Sequence, residues 1–495
     1  MEKEVNKGLG KPNVVIIMAD QLRYDALERG ITPNIRRIAE EGIEFTNCYC
    51  ACPLCVPERG AFFTGTYPSH NGSMINPWAP ADQSYGMVKE GIDNLYTLME
   101  NDWESIHSGK QHLYTENGNL EYRKDSKTVW AATDDTYFKH LKDTGKRKPG
   151  GPSFRTLVPE MAEGRFTRAI SYSTPATGCY EDGYENFYDG FYTERGLEAL
   201  RQRDGKKPLL LNMMYLAPHP PFDIPEPWYS RFDKPQLPEN VGMWYDRQSP
   251  LQMYNLTGVV GSRYSRQEWE EPWRVYLGLV SLLDDCVGKI LDELKAQGIY
   301  DNSLIIFTSD HGEMLGSHKL FQKMCMYEES ARTPLYIKFP KGYETSRKVY
   351  DELISGIDVF PTLCEYLGLN PGHQVDGQSL LPLIDGRTDK LLREEAYIQF
   401  DGNGARSNFQ RCVVKDGYKL IVDLFKDETF LELYHVAEDR QETVNLVFDS
   451  RYDEVTARLL ELLKAHMEKT KDPVTIGPVS LGEFRENYNR VFKRR

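Results

Sequence analysis

The chain has 495 residues, 40% hydrophobic and 27% charged, the composition of a folded globular protein of about two or three domains and not of a disordered one. Its net charge of -14, from 60 basic and 74 acidic residues, argues against a nucleic-acid partner. The same charge repels an anionic substrate, so a site for one must gather positive charge locally from Lys, Arg, His or a metal.

The N-terminal segment from Met1 to Asn13 lacks the apolar stretch of a secretory leader, so a cytoplasmic chain is expected, with a removed leader as the alternative. No run is long and apolar enough to span a membrane, so no membrane partner is expected. The nine cysteines are an odd number, and Cys179, Cys286, Cys325, Cys364 and Cys412 stand singly, which suits a reducing compartment better than a disulfide framework.

Asn13 to Met18 is a short β-branched run that reads as a buried strand ending at Asp20. The spacing of Ile35, Ile38 and Ala39 predicts a helix from Pro33 to Glu41, stopped by Gly42. Cys48, Cys50, Cys52 and Cys55 lie close together. Their spacing is not a common zinc pattern and the chain has no partner knuckle downstream, so small buried side chains on a strand are the simpler reading of the first three. Pro57 suits a first helical turn, which places Cys55 at a helix N-terminus, where free N–H groups favour an anion.

Leu209 to Leu216 reads as a second buried strand and runs into Ala217-Pro218-His219. From Asp223 to Trp273 the chain is rich in Pro, Trp and Tyr without periodicity and reads as long ordered loops; Trp228, Trp244, Trp269 and Trp273 could stack on sugar rings or belong to the core. Trp273 to Gln297 is strongly amphipathic, and Trp273, which opens it, reads as core. Leu304 to Thr308 is a third buried strand, followed at once by Ser309-Asp310-His311-Gly312. Three strands thus release Asp20, His219 and Asp310 just beyond their carboxyl ends, where open α/β sheets bind ligands. From about Ala396 the texture changes. Arg411–Val414 and Tyr418–Val422 read as a hairpin around Lys415-Asp416-Gly417, Glu432–Val436 as another strand, and Asp453–Lys469 as a closing amphipathic helix. The division expected is a catalytic α/β body over 1–390 and a smaller C-terminal antiparallel module over 391–495.

Cys55-Val56-Pro57-Glu58-Arg59 resembles the Cys-x-Pro-x-Arg signature of the sulfatases, in which the cysteine is oxidised to formylglycine. Most members carry Ser or Ala where Glu58 stands. The resemblance extends, in order, through Met18-Ala19-Asp20-Gln21, Gly109-Lys110-Gln111-His112, His219-Pro220-Pro221-Phe222, Asp310-His311-Gly312-Glu313 with Ser317-His318, Lys323 and its flank to Pro334, Asp358-Val359-Phe360-Pro361 and Asp376-Gly377. It implies an alkaline-phosphatase-like fold, a large and mainly parallel mixed sheet flanked by helices. It implies a formylglycine-generating maturation enzyme as a partner and a small-molecule or carbohydrate sulfate ester as substrate, a sulfated carbohydrate first.

Carried over position by position, the resemblance makes Asp20, Gln21, Asp310 and His311, with the modified Cys55, the holders of one divalent cation. Calcium is the first choice for oxygen ligands, and the His311 nitrogen leaves Mg2+ or Mn2+ open. Arg59, Lys110 and Lys323 would balance the sulfuryl oxygens. His219 or Lys323 would protonate the leaving alcohol, and His112 would take the proton from the second hydroxyl of the hydrate. Glu313 and His318 belong to the pattern as orienting residues as much as reacting ones. The nearest alternatives are a phosphonate monoester or phosphodiester hydrolase of the same superfamily and a choline-sulfatase-like enzyme for a small ester; a non-catalytic metal-binding protein is the alternative from another class. Oligomeric state is not legible.

Overall fold

A computed structural model of the chain describes residues 11–78, 80–162, 166–426 and 428–492. Most of the segment read for a leader lies outside the described residues.

The centre is a nine-stranded sheet. In chain order its strands are β1 (Asn13–Asp20), β2 (Ile43–Tyr49), β3 (Glu104–Gly109), β4 (Val129–Ala132), then, after the small hairpin β5 (Arg155–Ala162) and β6 (Phe166–Ser173), β7 (Leu209–Pro218), β8 (Ser303–Ser309), β9 (Arg332–Lys338), β10 (Val349–Tyr350) and β11 (Ile354–Ser355). The spatial order is β10-β2-β9-β8-β1-β7-β3-β4, with β11 also on β2. Strands β8, β1, β7, β3 and β4 run parallel, and β9 is antiparallel to both β8 and β2. Two reversals restore direction, so β2 points the same way as β1. The sheet is mixed and mainly parallel, as the resemblance implies.

All eight residues of β1 are buried, because both faces are covered. Val15, Ile17 and Ala19 pack with Leu279, Leu283 and Ile290 of helix α4 (Glu270–Ala296), which lies on the same side as α1 (Pro33–Glu41) and α3 (Tyr188–Gln202). Val14, Ile16 and Met18 face the other layer, with Val359, Phe360 and Leu363 of α5 (Val359–Leu367). Each such fully buried side chain contributes about 1.5–3 kcal/mol, so this central strand is a rigid base for Asp20 at its end. Helix α4 starts three residues before the predicted Trp273, since Glu270, Glu271 and Pro272 together make a good first turn. Trp269 and Trp273 are fully buried and belong to the core, whereas Trp244 is exposed.

Beyond the large sheet lies a four-stranded antiparallel one: β12 (Glu395–Phe400), β13 (Phe409–Lys415), β14 (Tyr418–Phe425) and β15 (Glu428–His435). Asp416 and Gly417, with φ of 51° and 77°, make the two-residue turn between β13 and β14 that the sequence predicts. Val413, Leu420 and Leu433 pack under Leu459 and Leu463 of the closing helix α6 (Asp453–Lys469). Cys412, Val414, Ile421 and Tyr434, on the other face, join the same core as the large sheet. A last helix, α7 (Leu481–Phe492), is not among the elements the sequence predicts. Among the described residues, no helix is long and apolar enough to cross a membrane.

Candidate active site

Five of the strands that point the same way deliver residues to one edge of the sheet, and of these only β3 leaves no mark in the sequence. Strand β1 delivers Asp20, β7 delivers His219 and β8 delivers Asp310 and His311. Strand β3, whose polar Glu-Ser-Ile-His-Ser-Gly sequence gives no strand signal, delivers Lys110 and His112. Strand β2 leads through Cys50 to Pro53 into helix α2 (Cys55–Thr64), with Cys55 as its first residue. The N–H of Val56 at this helix start donates to Asn76 Oδ1 at 3.3 Å, a partner the sequence gives no reason to suspect.

Asp20, Cys55, Asp310 and His311 are all buried, and one ligand atom from each lies within 4.8 Å of the others. Cys55 Sγ is 3.2 Å from His311 Nε2, 3.6 Å from Asp20 Oδ1 and 3.7 Å from Lys110 Nζ. His311 Nδ1 donates to the Gly312 carbonyl at 3.1 Å, which turns Nε2 toward Cys55 as the ring's ligand atom. Two ligands on opposite sides of a hard cation at about 2.3–2.6 Å stand about 5 Å apart. Two carboxylates, an oriented imidazole and the side chain at position 55 therefore fit one divalent ion.

Positive groups close around this set. Lys110 Nζ donates to Asp20 Oδ2, and Arg59 reaches Asp310 Oδ2 at 3.1 Å and Asp20 Oδ2 at 3.4 Å with 0% of its side chain exposed. Burial alone would push the Asp20 carboxyl up, but the cationic Lys110, Lys323 and Arg59 hold it well below the usual carboxylate range. Burial and Asp20 raise the Cys55 thiol, yet Lys110, Lys323 and His311 bring it below its ordinary value. Cys48 is pushed by burial to about 12, and Cys50 and Cys52 are also driven well up. Of this tight cysteine group only Cys55 is electrostatically activated, and among the described residues no candidate metal-binding group uses the other three.

Gln21 stands at the rim. Its backbone is in the left-handed region, φ 68°, and its N–H donates to Asp310 Oδ1 at 3.1 Å. Its amide oxygen accepts from Lys323 Nζ and its amide nitrogen donates to Glu313 Oε2. Glu313 also accepts from the N–H groups of Leu315 and Gln322, so it orients Gln21 and the loop carrying Lys323. Gln322 and Met324, on either side of Lys323, have φ of 69° and 74°; such strain in non-glycine residues is characteristic of a site whose geometry is imposed. His318 leaves the site. It stacks on Tyr327, with ring centroids 4.1 Å apart, and meets the Gln441 carbonyl at 2.9 Å.

His112 and His219 complete the ring. Burial, with Lys110 and Arg59 beside His112 and Lys323 beside His219, holds both imidazoles well below their ordinary pKa, so both are neutral near pH 7. His112 Nδ1 is buried without a hydrogen-bond partner, and its Nε2 is 4.0 Å from Asp134. His219 Nδ1 donates to the Pro220 carbonyl at 2.5 Å, leaving Nε2 bare.

The sulfatase family profile matches residues 12–369, and the profile described as N-sulphoglucosamine sulphohydrolase, C-terminal, matches residues 316–469. The multifunctional alkaline phosphatase superfamily protein PehA of Trinickia caryophylli is 28% identical over 490 residues, covering 89% of this chain and 92% of its own. An arylsulfatase of Clostridium perfringens is 26% identical over 494 residues, covering 94% and 96%. The crystal structure of a phosphonate monoester hydrolase of Agrobacterium radiobacter shares the fold, with a TM-score of 0.75 at 21% identity, over 94% of this chain and 100% of that one. The chain belongs to the sulfatase family.

Proposed function

We propose that this sulfatase-family chain hydrolyses the sulfate ester of a sulfated carbohydrate, with Cys55 converted to formylglycine by a maturation enzyme. The observation that carries the reading is the position of Cys55: first residue of α2, against Asp20, His311 and Lys110, with the only lowered thiol in its cluster. The match to the C-terminal profile named for N-sulphoglucosamine supports an amino-sugar substrate. Asp20, Asp310 and His311 would hold one divalent cation, calcium by the hardness of the oxygen donors. That ion, when bound, would act as a Lewis acid on a sulfuryl oxygen, beside the hydroxyl that the hydrated aldehyde supplies.

The remaining work falls to the chain's own side chains. Lys110, Arg59 and Lys323 offset the charge on the sulfuryl oxygens. Neutral His112 offers the unpartnered Nδ1 lone pair as a proton acceptor. His219 presents a bare Nε2, so it accepts and does not donate in the free protein, and Lys323 is the donor to the leaving alcohol. The test is mass spectrometry of the tryptic peptide ending at Arg59 in protein made beside a maturation enzyme. The thiol should be replaced by an aldehyde or its hydrate in proportion to activity on an aryl sulfate. Active protein with only thiol at position 55 would overturn the reading.

A second activity is favoured by Gln21. Many sulfatases carry Asp there, and a neutral amide leaves the site one unit more positive. Three cationic side chains, Lys110, Arg59 and Lys323, then face two carboxylates, Asp20 and Asp310, with Glu313, pushed up by burial, behind Gln21. A phosphoryl group carrying up to two negative charges gains more from that excess than a singly charged sulfate ester. The wild-type protein is expected to turn over phenyl phosphonate or phosphate esters measurably, below its rate on sulfate esters. Turnover no faster than that of the Asp310→Asn variant would show that the charge of Gln21 does not set selectivity.

A further inference from the structure

Helix α2 is held at its start by Asn76, and Asn76 is held in turn by the loop between β12 and β13. Its N–H donates to the Asn403 carbonyl at 2.9 Å and its Nδ2 to Asn403 Oδ1 at 3.0 Å. One side chain therefore separates Val56, next to Cys55, from the loop over 401–408. That loop is rigidly anchored: Asp401 pairs with the buried Arg411 at 2.9 Å, and the Ser407 N–H closes back onto the Asp401 carbonyl at 3.0 Å. Hairpin β5–β6 joins it, since Glu160 accepts from the Gly404 N–H at 3.4 Å and pairs with Arg168.

Three features of this wall are unexplained by folding. Arg406 is half-buried with its guanidinium over Tyr85, 4.6 Å from the ring centroid, and 5.5 Å from that of Phe409. Its Nε is buried without a hydrogen-bond partner, and no acidic side chain pairs with it among the described residues. An arginine without a carboxylate is notable in a chain of net charge -14. Asn408, 5% exposed and at φ 47°, has both amide atoms buried and unpartnered. Trp78 is 60% exposed, and its neighbour Gly404 carries no side chain to lie against it. A side chain at Gly404 would meet the Trp78 ring at 3.7 Å and the Arg168 guanidinium at 3.3 Å.

We propose that the 401–408 loop, with Trp78 and Arg168, is the subsite for the part of the substrate beyond the scissile ester, and that it takes a pyranose ring bearing a second anionic group. Trp78 offers an open face for the apolar side of the ring. The Arg406 guanidinium lies over Tyr85 and Phe409 with no acidic side chain against it among the described residues, and such a planar fork suits two-point binding of a uronate carboxylate or a further sulfate. This rests on the sulfate-ester reading above for the orientation of the ligand, and it deepens that reading.

The test reads binding, not turnover. Unmatured full-length chain, with thiol at position 55, is titrated calorimetrically with four probes: a 6-O-sulfated hexosamine, that sugar linked to a hexuronate, the same disaccharide with its carboxyl reduced, and a neutral disaccharide carrying two sulfates. A second anion should tighten binding about tenfold in wild type, the scale of one charge-assisted pair. Arg406→Gln should erase that gain, and Arg406→Lys should restore only part of it because it lacks the planar fork. Trp78→Ala should weaken all three disaccharides alike. The two dianionic probes separate carboxylate from sulfate as the group read. Equal affinity for singly and doubly charged probes in wild type, or a gain that survives in a folded Arg406→Gln variant, would overturn the subsite. Failure of the sulfatase reading would appear instead as matured protein that binds these probes and releases no sulfate.

Discussion

Asp310→Asn is expected to lower kcat/KM for an aryl sulfate by about 10³-fold, about 4 kcal/mol of transition-state stabilisation, and to remove most of the bound cation. Asp310 is fully buried, and its two oxygens do different things. Oδ1 accepts from the N–H groups of Gln21 at 3.1 Å and His311 at 2.9 Å; Oδ2 accepts from Arg59 Nε at 3.1 Å. The asparagine can keep the first pair of bonds through its carbonyl oxygen, so the turn between β8 and the loop survives. It turns an amide N–H toward Arg59, which falls back on the Lys110 carbonyl at 2.7 Å and on Asp20. The loss is therefore one of charge at the ion and not of fold. Elemental analysis of purified variant and wild type, with circular dichroism alongside, measures it. Full cation occupancy in the variant would show that the ion lies elsewhere, and loss of the cation with activity retained would show that catalysis does not use it.

The sequence exposes this site unevenly, and the reason is physical. Strands β1, β7 and β8 are buried on both faces, so they appear as apolar runs, interrupted in β7 only by Asn212, and a polar residue at or just past each end is visible as a punctuation mark. Strand β3 carries His107, whose ring is buried against Tyr96 and the Gly109 carbonyl, and two serines. Its hydrogen-bonded polar side chains erase the apolar signal, and only the resemblance points to Lys110. The partners that orient the site are further still from view. Asn76 reaches Val56, and Tyr276 both accepts from the Arg23 N–H and donates to the Gln21 carbonyl; of these orienting partners only Glu313, which accepts from Gln21, is named by the resemblance. Each pair is brought together only by the closed sheet, so no local pattern encodes it. The hairpin β5–β6 and helix α7 escape the sequence for a different reason: they bury few apolar side chains, α7 none completely among its described residues, so no apolar period marks them.

Glu58, the departure within the signature, is a residue whose removal should cost heavily in stability. It is 2% exposed, and Oε2 accepts from the N–H of Ala51 at 2.7 Å and of Cys52 at 3.1 Å, bracing the bend that carries the chain from β2 to Cys55. Oε1 lies where a side chain at Gly356 would meet it at 2.7 Å, so the carboxyl is closely enclosed. Glu58→Ala orphans two buried N–H groups at about 1–3 kcal/mol each and leaves a cavity, so a loss of about 3–5 kcal/mol is expected. Glu58→Gln keeps an oxygen for both bonds and should lose far less. The two variants also separate charge from geometry. Burial drives the Glu58 carboxyl well above its ordinary value, with the nearby Asp310 adding to this and the two backbone bonds opposing it. Below the unfolded pKa, about 4.3, both states are protonated and the shift has no cost. As pH rises above that value the unfolded chain sheds the proton while the folded chain keeps it, so wild type loses stability until the folded pKa is passed. Glutamine has no proton to shed. The stability of Glu58→Gln relative to wild type should therefore rise between pH 4 and pH 8, read from urea midpoints, whereas Glu58→Ala should stay well below Glu58→Gln throughout. A Gln-to-wild-type difference that does not change with pH would mean that Glu58 is an ordinary ionised carboxylate held by its two backbone bonds, and that the bend before Cys55 is built on charge after all.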